Sequence, residues 1–223
     1  MYWLGYGWWL VIPGIVLALW AQHRVTSVYR RYLQVPGRLT GADAARRILD
    51  ASGLHNVRIE MIGGQLSDHY DPRDRVLRLS EANFRGSSLS AIGVAAHEAG
   101  HALQHQAKYA PLHIRMAIVP ITMFGSQVLM PAAFLGILFG SRMFIDLAIL
   151  GYAILLIFQI VTLPVEFNAT SRAKARLYEL GLVTPQEQIG VSKVLGAAAL
   201  TYVAAMVVAL LNLLRLVLLR GRD

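Results

Sequence analysis

The chain has 223 residues, 56% hydrophobic and only 15% charged, a balance too apolar for an ordinary soluble domain of this size. Its net charge of +8 sits on basic residues that flank apolar runs, where anionic headgroups attract them by about 1 kcal/mol each, so lipid rather than nucleic acid is the expected partner. The absence of cysteine excludes disulfides, thiolate metal sites and cysteine nucleophiles, leaving histidine and carboxylate to hold any metal.

Residues 1–22 contain no Asp, Glu, Lys, Arg or His, which is long enough to cross a hydrocarbon core of about 30 Å as a helix. Trp3, Trp8, Trp9 and Trp20 bracket the run, and neither a basic leader nor a small-residue cleavage site accompanies it, so it reads as a retained anchor. His23 to Tyr32 continues as a basic helix until Val35-Pro36-Gly37 breaks it, and Thr40 starts a second helix over 42–52, stopped by Gly53.

Between Val57 and Ser80 the period changes to two. Val57 to Met61 and Arg75 to Leu79 alternate apolar and polar residues, predicting a small sheet or hairpin pair, with Leu66 to Pro72 as a polar turn between strands. Ser87 or Ser88 then caps a helix from Leu89 to His105. Three further uncharged runs follow, Met116 to Ser141, Leu147 to Val165 and Val194 to Leu214, with Glu166 starting a polar helix that Gly181 ends.

Thirteen Lys and Arg residues lie from Arg24 to Arg115 and four from Arg172 to Lys193. The positive-inside rule therefore puts both polar regions in the cytoplasm, although Arg215, Arg220 and Arg222 at the C-terminal end run against it. The expected fold class is mainly α, α+β: a multi-pass membrane protein with about four transmembrane helices and a small membrane-proximal zincin-like domain. Its expected parts are an anchor at 1–22, a first catalytic portion at 23–115, a transmembrane hairpin at 116–165, a second catalytic portion at 166–193, and a terminal helix and tail at 194–223.

The segment His97-Glu98-Ala99-Gly100-His101 lies within the helix begun near Ser88. Histidines four apart project from one face, within reach of one zinc ion, while Glu98 is placed to act on a water as general base. Gly100 allows another element close to this helix. A third ligand must come from elsewhere: the metzincin position is Ala107, His105 lies a turn too far along, and His113 stays an alternative. Glu166 is preferred because the 116–165 hairpin returns it to the same membrane face; its other reading is a helix-start carboxylate favoured by the dipole. Asn168, Ser171 and Arg172 are candidates to support the ligand histidines, and His69 or Tyr70 could donate to an oxyanion.

These residues, together with Ser67-Asp68-His69-Tyr70-Asp71-Pro72 and Pro164-Val165-Glu166-Phe167-Asn168-Ala169, resemble the YugP-type neutral zinc metallopeptidases of bacterial membranes over nearly the whole chain. A more distant likeness is to the HtpX and CAAX-prenyl membrane proteases, gluzincins in which a transmembrane hairpin separates the zinc helix from a glutamate ligand. The resemblance implies His97, His101 and Glu166 as Zn2+ ligands and Glu98 as base. In those relatives an aspartate commonly follows four residues after the glutamate; here that position is Thr170, with Asn168 or Thr170 as substitutes. The function expected is hydrolysis of membrane-associated or misfolded polypeptides at the cytoplasmic face of the bacterial inner membrane, with an edge strand near Arg75 to Leu79 pairing to substrate. The alternative is a zinc-binding membrane chaperone or scaffold, its metal closed off by His105 or His113; a zinc transporter would need polar ligands that the apolar runs lack.

Overall fold

The computed structural model describes residues 7–64 and 67–221, except the side chains of Phe124, Ser126, Val128, Met130 and Ile137. Trp3 of the expected aromatic belt, Leu66 of the polar turn and Arg222 of the tail lie outside the described residues. The chain is mainly helical with one small sheet: α1 (Trp8–Leu33), α2 (Gly41–Ala51), β1 (Arg58–Ile62), β2 (His69–Asp71), β3 (Val76–Ser80), α3 (Glu81–Arg85), α4 (Leu89–Gln106), α5 (Ala110–Phe139), α6 (Arg142–Glu179) and α7 (Pro185–Arg220). It divides into two compact units, one built from two stretches of chain and the other from three.

The first unit, 23–112 with 165–200, has a core of buried aliphatics that includes Ile48, Leu49, Val57, Leu77, Leu79, Ile92 and Leu177. Thr40 caps α2 by accepting the Asp43 N–H at 3.1 Å, and Gly53 ends it at φ +73°, a conformation costly for any residue with a Cβ. Ser88 Oγ caps α4 by accepting the Ala91 N–H. At α7, Thr184 and Glu187 bond each other's backbone N–H groups, a reciprocal capping box.

The sheet differs from a hairpin. β1 and β3 pair parallel, Arg58 opposite Val76, and the strand order is β1-β3-β2. His69 to Asp71, expected within a turn, is itself a strand, antiparallel to β3. The tight turn after Asp71 is the cause: Asp71 Oδ1 accepts the Arg73 and Asp74 N–H groups, Arg75 adopts φ 51°, and the chain folds straight back. β2 thus claims one side of β3 and β1 the other. The stretch 75–79 is therefore the central strand, not the edge expected to receive substrate.

The second unit comprises 1–22, 113–164 and 201–223. Its outward side chains are large and apolar, among them Trp9, Leu19, Phe134, Phe139 and Met143, each more than 60% exposed, a surface suited to lipid rather than water. Small residues let its helices approach: a Cβ on Gly14 would meet Leu211 at 3.0 Å, and one on Gly136 would meet the Ile145 backbone at 3.0 Å. Among the described residues two helices, α6 and α7, are long and apolar enough to cross a membrane. α6 runs unbroken through Pro164. Glu166 accordingly sits inside a helix rather than at a helix start, which removes the dipole explanation for a carboxylate at that position; membrane helices tolerate such a proline where neighbours satisfy the freed groups.

Candidate active site

About two turns of α4, His97 to Gln104, and two of α6, Val165 to Arg172, build the site. His97 and His101 stand one turn apart on α4 with ring centroids separated by 4.8 Å and rings nearly perpendicular. Glu166, only 2% exposed, brings Oε2 to 3.1 Å from His97 Nε2 and 3.7 Å from His101 Nε2. What lets α6 come this near is Gly100: a Cβ there would lie 2.4 Å from the Ala169 carbonyl oxygen and 3.1 Å from its carbon.

One donor atom from each of His97, His101 and Glu166 falls within 4.8 Å of the others. A tetrahedral zinc ion, with bonds of about 2.0–2.1 Å, spaces its ligands roughly 3.3 Å apart, close to the two separations from Glu166, 3.1 and 3.7 Å. Two neutral imidazoles and one carboxylate also match the donor chemistry zinc takes at catalytic centres. The residues present fit the ion.

The two buried carboxylates are driven in opposite directions. Burial works to raise Glu166, but hydrogen bonds from His101 and His97, and the charge those rings carry when protonated, prevail and hold it well below the usual carboxylate range. Burial pushes Glu98 up to about 7, His97 opposing and the charges of Glu166 and Asp68 adding. Such a divergence leaves Glu166 ionised while Glu98 exchanges its proton near neutral pH. Glu98 Oε2 accepts the backbone N–H of Tyr70 at 3.0 Å, so the β2 strand orients it.

The two imidazoles are supported from behind. Thr170 Oγ1 stands 3.2 Å from His97 Nδ1, at the position where relatives were expected to carry aspartate. Gln104 Oε1 stands 3.0 Å from His101 Nδ1, and Gln104 Nε2 donates to Val165 O at 2.7 Å and Asn168 Oδ1 at 3.0 Å. Arg172 Nε in turn donates to Asn168, while Ser171 is exposed. Sequence reasoning missed Gln104; its one signal was a polar residue on the ligand face of α4, one turn past His101.

His69 and Tyr70 sit apart from this cluster by their side-chain partners. His69 is exposed with Nδ1 on the Ser67 carbonyl, and the Tyr70 hydroxyl meets His105 Nδ1 at 2.9 Å. Asp68 anchors the preceding loop, accepting Ser80 N, Ser80 Oγ and Asn83 Nδ2.

A family model described as "Putative neutral zinc metallopeptidase" matches residues 7–221. The chain is 51% identical over 220 residues to the protein named "Putative membrane protease YugP" of Bacillus subtilis (strain 168), an alignment covering 96% of this chain and 97% of that one. No solved structure matches. Matched from near one end to near the other by both comparisons, the chain belongs to the family described as "Putative neutral zinc metallopeptidase".

Proposed function

We propose that the protein is a membrane-embedded zinc metalloendopeptidase of gluzincin type, with His97, His101 and Glu166 as metal ligands and Glu98 as general base. Its substrates are membrane-associated or misfolded polypeptides, cut at the cytoplasmic face of the bacterial inner membrane. The observation carrying this reading is a three-member ligand group within 4.8 Å beside a second buried carboxylate whose pKa is pushed up to about 7. Three protein ligands are what a catalytic zinc keeps, a fourth position being left for water or substrate.

Zinc held by these residues supplies Lewis acidity to a peptide carbonyl and to a water. The chain's own groups do the rest. Glu98 takes a proton from the attacking water and gives it to the leaving amine, a task suited to a carboxyl that titrates near neutrality. Tyr70 N–H holds Oε2 of Glu98, leaving Oε1 as the atom that receives the proton. His69 and Tyr70 are the proposed oxyanion donors; the His69 ring offers Nε2, since Nδ1 is engaged with Ser67, and the Tyr70 hydroxyl serves by leaving His105.

In this reading α1 and α5 add two spans to α6 and α7, giving the four-span arrangement in which 1–22, 116–165 and 194–223 lie in or beyond the membrane, and 23–115 with 166–193 form the cytoplasmic catalytic domain. Basic residues concentrated in those two stretches support that orientation. A structural zinc in a chaperone or scaffold would need a closed site, but among the described residues the ligand group has three members and His105 is turned to Tyr70.

The test is Glu98→Gln. It should retain zinc and lose cleavage of a fluorescent casein or membrane-protein substrate by at least about 100-fold, the scale of general-base catalysis. A variant cleaving as fast as wild type, or wild-type protein that binds no zinc, refutes the proposal.

A further inference from the structure

Gln104 is completely buried on α4, a place an amide occupies only with its hydrogen bonds made. Its contacts have fixed polarity. Arg172 Nε can only donate, and it lies 2.8 Å from Asn168 Oδ1, so that atom is an oxygen. Val165 O is a backbone carbonyl and can only accept. Both face the Gln104 amide nitrogen, at 3.0 Å and 2.7 Å. The Gln104 oxygen must therefore be the atom that faces His101 Nδ1, 3.0 Å away. An amide oxygen only accepts, so Nδ1 of His101 carries a hydrogen, and Nε2 is the atom that faces Glu166 Oε2, 3.7 Å off.

We infer that Gln104 is a positioning residue with two effects: it locks His101 in the tautomer that ligates through Nε2, and it ties to α4 the backbone of Val165, the residue next to Glu166. One side chain thereby sets two of the three ligands in the proposed zinc site, on which this inference rests. Among the described residues His97 has no equivalent lock. Its partner Thr170 Oγ1, 3.2 Å from Nδ1, can donate as well as accept, so the two histidines are held unequally.

The experiment measures zinc affinity of the full chain in detergent, by competition with a chelator. Gln104→Leu should bind zinc about 10–100-fold more weakly, the usual effect of removing a ligand's outer partner, and Thr170→Val should lose less. Gln104→Glu still accepts from His101 but turns an oxygen toward Val165 O and Asn168 Oδ1; it too should weaken binding. Wild-type affinity in Gln104→Leu overturns the inference, and wild-type affinity in Gln104→Glu overturns the tether to Val165. A second readout needs no variant that folds: nitrogen-15 histidine spectra of wild-type protein stripped of zinc, at alkaline pH, should show His101 protonated on Nδ1. Protonation on Nε2 refutes the lock. Wild-type protein without zinc affinity would sink the proposed function while leaving this spectrum to decide the tautomer.

Discussion

Gly100→Ala puts the assembly of the site to a mechanical test. The new Cβ would stand 2.4 Å from the Ala169 carbonyl oxygen, where ordinary contact begins at 3.4 Å, and its neighbours there are backbone atoms that cannot rotate aside. α4 and α6 must separate by about 1 Å at that level to restore ordinary contact. Glu166 lies three residues earlier on α6 and moves with it, whereas zinc–ligand distances tolerate only about 0.2 Å. Alanine gains about 1 kcal/mol of helix propensity over glycine, set against overpacking of roughly 1–3 kcal/mol, so the fold should survive with a small loss of stability. Zinc affinity should fall at least tenfold, on the scale of disturbing a ligand's support. The assay is chelator competition alongside a thermal midpoint. A Gly100→Ala protein that folds and binds zinc as tightly as wild type would refute the argument that glycine is there to seat Glu166.

Glu98 titrates near 7 when folded but at 4.5 in its ordinary state; because the folded form binds the proton more tightly, its effect on stability worsens as pH rises from about 4.5 through 7. In zinc-stripped protein Glu98→Gln should therefore raise thermal stability at pH 8 by an amount on the order of 3 kcal/mol, with little gain at pH 4; an equal gain at both would contradict the shift. Asp68→Ala removes the acceptor of three donor groups on Ser80 and Asn83 and should cost about 1.5–3 kcal/mol, seen as a lowered thermal midpoint, while an unchanged midpoint would show the loop is held otherwise. The cysteine-free chain suits single-cysteine labelling: a cysteine at Gly140 should react with an impermeant thiol reagent from outside the cell and one at Ser52 only from within, and the reverse pattern would invert the positive-inside orientation.

What the sequence made legible was local. The α4 helix, its Ser88 cap and the His97, Glu98, His101 spacing are set by residues within a few positions of one another, and helical periodicity reports them directly. The Thr40 start and the Gly53 stop of α2 were readable for the same reason. β2 was not, because His69-Tyr70-Asp71 is short and polar and becomes a strand only by pairing with β3. The parallel pairing of β1 with β3 likewise depends on which partner takes the other side of β3. The change of polarity at Glu166 predicts a new helix there; the backbone instead runs on from Arg142 to Glu179, because a helix needs only its own hydrogen bonds to continue across a change of solvent. Gln104 was invisible since its importance lies in the Val165 carbonyl and Asn168, 61 and 64 residues away.

The most direct measurement is zinc content with zinc-edge X-ray absorption on detergent-purified wild-type and Glu166→Ala protein side by side. One zinc per wild-type chain, with two imidazoles and oxygen in its coordination shell and markedly weaker retention in Glu166→Ala, is the result expected. A wild-type chain without zinc, or a Glu166→Ala chain holding it in an unchanged shell, would contradict the site proposed here.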